Sequence, residues 1–275
     1  MLHQQTIEKL HTLRLRGMLE ALQEQSKQPE AGSLSFEERL GMLVDAEWLQ
    51  RQNRALDRRL KNAHLKQPAS MEDINYRHAR QLDRARMRSL ADCQWVVQHQ
   101  NVLITGPTGI GKTYICCALL EKACREGYTV SYARAPRFFR ELSVAYVDGS
   151  FDRLLSRLAR TDVLAVDDWG LVALNDAERR YFLEVIEDRH GSRSTVLTSQ
   201  FPVETWHDLI GNPSIADATV DRLVSNAHRI ELEGESLRRP EAGSRKISST
   251  GLEASGASQE PQTSSRAKGR KEVKP

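Results

Sequence analysis

Residues 101–113 read Asn-Val-Leu-Ile-Thr-Gly-Pro-Thr-Gly-Ile-Gly-Lys-Thr. A short apolar strand runs into a glycine-rich turn that ends in Lys-Thr, and Tyr114–Arg125 has the character of a helix. The spacing fits the phosphate-binding P-loop pattern. Gly106, Gly109 and Gly111 let the backbone curl until its N–H groups point inward at a polyphosphate. Pro107, Thr108 and Ile110 fill the turn between them. The helix that follows adds its positive N-terminal end. In this pattern Lys112 pairs the β- and γ-phosphates and the Thr113 hydroxyl holds Mg²⁺. The competing reading is a glycine-rich turn with an incidental lysine.

Outward from this motif, strand and helix patterns alternate. The candidate strands are Val102–Thr105, Thr129–Ala133, Asp162–Asp167, Thr195–Ser199 and Arg229–Leu232. That order predicts an α/β fold, a parallel five-stranded sheet with helices on both faces. Val163-Leu-Ala-Val-Asp-Asp168 is an apolar strand ending in two acids, costly to bury without a cation. A P-loop ATPase needs such a strand, expected here beside the P-loop strand. Asp167 then orients a water on Mg²⁺ and Asp168 polarises the attacking water. The alternative is a loop turn or a helix cap. The next strand ends in Thr198-Ser-Gln200. Thr198 and Gln200 are the candidates for contact with the γ-phosphate or the attacking water, set against a merely hydroxyl-rich strand end. Arg222 lies on a helix before the last strand. Its planar, permanently charged fork suits a neighbour's γ-phosphate, although a surface arginine on a helix is common.

Upstream, Ile7, Leu10, Leu13, Leu15, Met18, Leu19 and Leu22 recur at helical spacing and predict one amphipathic helix over 4–27. After a break at 28–33, Ser35 is placed to cap a second helix with Glu37 and Glu38 in its first turn. That helix grades into an arginine-rich segment, 51–66. A third helix over 83–98 leads into the P-loop strand. These predict a small all-α N-terminal domain over 1–75, an ATPase domain over 76–239 and a disordered basic tail over 240–275. The tail has almost no large apolar residues.

The 275 residues carry a net charge of +3, unevenly spread. Residues 51–90 hold 11 Lys/Arg against 4 Asp/Glu, and 91–235 hold 15 against 21. An acidic nucleotide-binding part between basic flanks suggests an anionic macromolecular partner, for which duplex DNA is the expectation tested by salt dependence. Arg51, Arg54, Arg58, Arg59 and Lys61 recur at helical spacing and are candidates to grip it; the alternative is a solvated helix face. In Ala135-Pro-Arg-Phe-Phe-Arg140, Arg137 and Arg140 beside aromatics are further candidates, unless Phe138 and Phe139 are core. Cys93, Cys116, Cys117 and Cys124 form no CxxC pair and read as buried free thiols of a reducing cytosol. No apolar run approaches the roughly 18 residues that span a bilayer, and Met1-Leu-His-Gln-Gln5 lacks the basic and apolar regions of a signal peptide. A cytoplasmic location follows.

Taken together, the chain resembles the IstB family of ATPases, helper proteins of insertion-sequence transposition, related to the helicase loader DnaC within the AAA+ class. The resemblance rests on the P-loop, on Leu164-Ala-Val-Asp-Asp-Trp-Gly170, Leu197-Thr-Ser-Gln200 and Asp221-Arg-Leu223, and on Ile230-Glu-Leu-Glu-Gly-Glu-Ser-Leu-Arg238. It covers roughly 1–239. It implies a homo-oligomer assembled with ATP and DNA, a transposase as partner, and a role in choosing or remodelling target DNA. It also implies Arg222 as the finger completing a neighbour's site, and DNA contacts from the N-terminal domain and the segment after the second strand. Asp168 departs from the glutamate usual across AAA+ proteins, and its shorter arm is one route to slow turnover. A helicase loader is the alternative within the class. A small-molecule kinase is disfavoured by the missing arginine-rich lid segment. A binding module that holds ATP without turnover would share the P-loop.

Overall fold

The computed structural model describes residues 2–237. The N-terminal region is helical: α1 (Leu2–Thr12), α2 (Arg16–Gln25) and α3 (Phe36–Ala63). The single helix expected over 4–27 is two, because the chain breaks at Arg14, whose φ is +59°. The break lets α2 lie against α3, and Gly17 shows how closely: a Cβ there would sit 2.6 Å from the Ala46 carbonyl oxygen. The buried Glu47 carboxylate accepts from the Gly17 N–H at 2.8 Å. Ser35 caps α3 as expected. Its hydroxyl accepts from the Glu38 N–H, while the Glu38 carboxylate accepts from the Ser35 N–H. No glycine or proline interrupts the arginine-rich stretch, so α3 continues through it for 28 residues. Its last turns join the sheet's core through Leu56, Leu60 and Ala63.

The helix expected over 83–98 is also two, α4 (Arg84–Ala91) and α5 (Gln94–Val97), divided by Cys93 with φ +53°. Then strand and helix alternate: β1 (Asn101–Thr105), α6 (Lys112–Arg125), β2 (Val130–Arg134), α7 (Ala135–Val147), α8 (Phe151–Arg160), β3 (Val163–Trp169), α9 (Asp176–Arg189), β4 (Ser194–Ser199), α10 (Trp206–Ile210), α11 (Pro213–Val224) and β5 (Ala227–Glu231). Each strand lies within two residues of its expected bounds. All pairings are parallel, in the order β2-β3-β4-β1-β5. This corrects one expectation: the strand bearing the two acids is not beside the P-loop strand, because β4 lies between them.

Alternation along the strands divides the core into two layers. Val102, Ile104, Val163, Ala165 and Val196 pack with α6, α4 and the end of α3. Leu103, Leu164, Val166 and Leu197 pack with α7–α11. The sheet is therefore covered on both faces, which is why its central strands read as continuous apolar runs. The four cysteines are free and buried. Beneath the sheet, Arg189 is 1% exposed and donates to the carbonyls of Leu158, Thr161, Asp162 and Ser194 and to the Thr195 hydroxyl. Burial pushes its pKa down to about 9, so it stays charged near neutrality. Among the described residues no helix is long and apolar enough to cross a membrane. The tail over 240–275 and Arg238 lie outside the described residues.

Candidate functional site

The site forms at the C-terminal ends of β1, β3 and β4, where a parallel sheet presents its loops. The P-loop leaves β1 at Gly106, whose φ is +141°; a Cβ there would lie 2.3 Å from the Leu232 carbonyl oxygen, so only glycine fits. Two segments brace the loop from outside. The Leu232 N–H donates to Thr105 O and the Leu237 N–H to Gly109 O. The buried Arg80 guanidinium donates to Ile110 O at 3.1 Å. Thr108 and Gly109 lie on the outer bend, and Gly111, in the left-handed region, is the N-cap residue of α6. Lys112 is buried, and its Nζ donates to the loop carbonyls of Gly106 at 2.6 Å and Pro107 at 2.9 Å.

Thr113 brings the two halves together. Its hydroxyl lies 3.1 and 3.0 Å from the two oxygens of Asp167, 54 positions along the chain. Asp167 is fully buried and accepts two further hydroxyls: Thr198 from β4 on Oδ1 at 2.5 Å, and Tyr132 from β2 on Oδ2 at 2.7 Å. Burying this charge would be costly; the three hydroxyl donors offset that cost. Burial, together with the carboxylate it faces, pushes the Tyr132 hydroxyl's pKa up, which keeps it a neutral donor. Hard oxygens from Thr113 and Asp167, side by side on facing elements, are the donor chemistry that suits Mg²⁺.

Asp168 sits at an irregularity in its strand. Successive side chains of a regular strand face opposite sides, but β3 shifts register against β4 between Val166 and Trp169, and Asp168 has φ +62°. Its N–H donates to Thr198 Oγ1 at 3.0 Å. Its Oδ2 accepts from Arg134 Nε at 3.0 Å and from a terminal nitrogen at 2.7 Å. Of the two polar residues expected at the end of β4, Gln200 faces the P-loop, its Oε1 accepting from the Thr108 hydroxyl at 2.6 Å. Thr198 is fully buried and spans the two acids instead.

Arg222 stands elsewhere. Its carbonyl accepts from the Asn101 side chain at the first residue of β1. The P-loop begins five residues on at Gly106, about 16 Å away at ~3.3 Å per residue. Its guanidinium is held by Glu187 at 2.9 Å and the Ala218 carbonyl at 2.8 Å. It does not join Lys112 and Asp167 within one chain.

The arginine-rich stretch divides. Arg51 pairs with Glu47 at 2.7 Å, and Arg59 Nε donates to the Cys124 carbonyl at 2.8 Å. Arg54, Arg58 and Lys61 are exposed and share one face of α3. Phe138 and Phe139 are core, stacked edge-on with Phe182. Arg137 and Arg140 are exposed and line a groove of about 1030 Å³ with Lys66 and Arg134. Sequence reasoning missed Tyr132, Arg134 and Arg80. Alternation along β2 puts Tyr132 and Arg134 on one side of the strand, but nothing local says that β2 lies beside the acids.

A five-stranded parallel sheet carrying this loop and these acids defines a P-loop protein of the AAA+ class. The IstB-like ATP binding protein family matches residues 8–244, and the chain belongs to it. An insertion sequence ATP-binding protein of Sinorhizobium fredii strain NGR234 is 48% identical over 239 residues, 87% of this chain and 98% of the relative. The ATP-binding protein of insertion sequence IS1162 from Pseudomonas fluorescens is 50% identical over 206 residues, 74% and 89% of the two chains. The crystal structure of DnaI, at 21% identity and a TM-score of 0.51, covers 61% of this chain and 95% of its own. The DnaC helicase loader, at 17% and a TM-score of 0.51, covers 60% and 96%. These two share the fold.

Proposed function

We propose that the chain binds ATP with Mg²⁺, hydrolyses it in a site completed by a second subunit, and in that assembled state grips duplex DNA to help a transposase choose or remodel its target. The observation that carries this reading is the hydroxyl of Thr113 against the buried Asp167 carboxylate, which joins the P-loop to the acidic strand in one site. The insertion-sequence names of its relatives favour a transposase over a helicase as partner.

Each residue then has a task. The backbone N–H groups of 106–113 and Lys112 hold the polyphosphate, with Lys112 exchanging loop carbonyls for phosphate oxygens. Thr113 and Asp167 would hold Mg²⁺, which would supply positive charge to neutralise that developing on the transferred phosphoryl group. Asp168 Oδ1 accepts a proton from the attacking water, and Gln200 orients that water against the γ-phosphate. Thr198 keeps the two acids apart and fixed. Arg222 serves the neighbour's site. Residues 1–75 act in assembly and DNA binding, 76–239 as the ATPase, and 240–275 as a basic tail, in the cytoplasm. Arg54, Arg58 and Lys61 on one side and Arg137 and Arg140 on the other are the cations available to phosphates.

The test separates binding from turnover. Lys112→Ala should abolish ATP binding. Asp168→Asn should keep binding and lose hydrolysis, by about 10²-fold or more for a lost general base. Equal loss of binding in both variants would sink this division of labour.

A further inference from the structure

Asp167 sits on β3, and each strand beside β3 supplies one hydroxyl to it. From β4, Thr198 Oγ1 lies 2.5 Å from Oδ1; from β2, the Tyr132 hydroxyl lies 2.7 Å from Oδ2. Thr113 meets both oxygens from the P-loop side. The sheet order β2-β3-β4 therefore clamps the carboxylate from left and right in the plane of the sheet. Asp167 is wholly out of reach of solvent, so no water can take over from a donor that is removed. The Tyr132 ring is 8% exposed and packs in the core layer with α6, the helix that begins with Lys112 and Thr113. Its hydroxyl is thus fixed by packing before any ligand arrives.

Carboxylates around a metal are themselves held by outer hydrogen bonds, and removing one such bond weakens the metal by about 10–100-fold. Here the two outer donors are not alike. Thr198 also accepts from the Asp168 N–H and serves both acids. Among the described residues the Tyr132 hydroxyl bonds Asp167 alone. We propose that Tyr132 is a positioning residue: its hydroxyl fixes the rotation of the Asp167 carboxylate and thereby sets how tightly the nucleotide site takes Mg²⁺, without contacting nucleotide itself. The inference rests on the reading of the site as an ATP and Mg²⁺ site. Two residues further along β2, Arg134 holds Asp168 in the same manner, so the edge strand dresses both acids.

The test is binding of a non-hydrolysable fluorescent ATP analogue to the full chain, first in EDTA and then along a Mg²⁺ titration. Tyr132→Phe keeps the ring and removes only the hydroxyl. Its affinity in EDTA should match the wild type, and the Mg²⁺ concentration giving half the metal-dependent gain should rise about 10-fold. Tyr132→Leu, which removes the ring as well, is the packing control. An unchanged Mg²⁺ midpoint in Tyr132→Phe overturns the proposal while leaving the site reading intact. So does an affinity loss in Tyr132→Phe that is equal with and without Mg²⁺, or a midpoint shift confined to Tyr132→Leu. A wild type that binds the analogue without any response to Mg²⁺ overturns the site reading, and this inference with it.

Discussion

Replacing Arg222 by alanine tests whether the site is shared. In its own chain Arg222 lies at the start of β1, and the P-loop begins about 16 Å away at the other end, beyond the reach of one side chain. On the proposed reading it serves a neighbour's phosphate. An arginine that meets the γ-phosphate in the transition state contributes about 10³-fold or more to turnover, which is ~4 kcal/mol at 1.36 kcal/mol per decade. Its half-exposed ion pair with Glu187 contributes under about 1 kcal/mol to stability, so the variant should fold. Arg222→Ala should therefore bind ATP normally and release almost no phosphate. Mixing sharpens the test. In a 1:1 mixture with Lys112→Ala, an interface works when its nucleotide subunit keeps Lys112 and its neighbour keeps Arg222. Random assembly in a head-to-tail ring or filament gives that arrangement at about one interface in four. Phosphate release should recover to about a quarter of wild type, with mixed oligomers verified by co-purification of two tags. No recovery in verified mixed oligomers would refute the shared site, and so would wild-type turnover by Arg222→Ala alone.

Reversing Arg54, Arg58 and Lys61 to glutamate should weaken duplex binding and flatten its salt dependence by about 0.9 for each phosphate no longer neutralised, leaving nucleotide binding intact; unchanged affinity and slope across several salt concentrations would remove this face of α3 from the DNA surface. Arg189→Met strands the buried carbonyls of Leu158 and Ser194 at about 1–3 kcal/mol each, so the thermal midpoint, read by calorimetry, should fall by roughly 5 °C or more, and a fall under about 3 °C would show that the carbonyls find other partners.

The sheet was legible because strands covered on both faces read as apolar runs, and Gly106, Gly109, Gly111, Lys112, Thr113, Asp167 and Asp168 stand at its ends. The pairing order was not legible. That β4 intervenes between β1 and β3 is a fact of tertiary packing, and no single strand's sequence records its neighbours. For the same reason the sequence does not record that Thr198 bonds both acids, and it leaves Tyr132 and Arg134 unmarked. The breaks at Arg14 and Cys93 are hidden because neither is glycine or proline, the residues that usually mark such turns. Arg59 shares its composition with Arg54 and Arg58, yet it meets the Cys124 carbonyl; charge alone does not tell an inward arginine from an outward one.

Asp168 holds a left-handed backbone conformation, which aspartate tolerates better than most residues but which only glycine adopts freely, at a cost on the order of 1 kcal/mol. Without that twist and the register shift beside it, the second acid would leave the sheet on the face opposite the first. The proposed chemistry thus depends on an irregularity that a straighter, more stable strand would erase. Random mutation followed by selection for heat resistance alone should drift toward glycine at this position, and each step of that drift would trade catalysis for a relaxed backbone. Thermostable descendants obtained without selecting for turnover would be expected to keep the fold and lose the second acid.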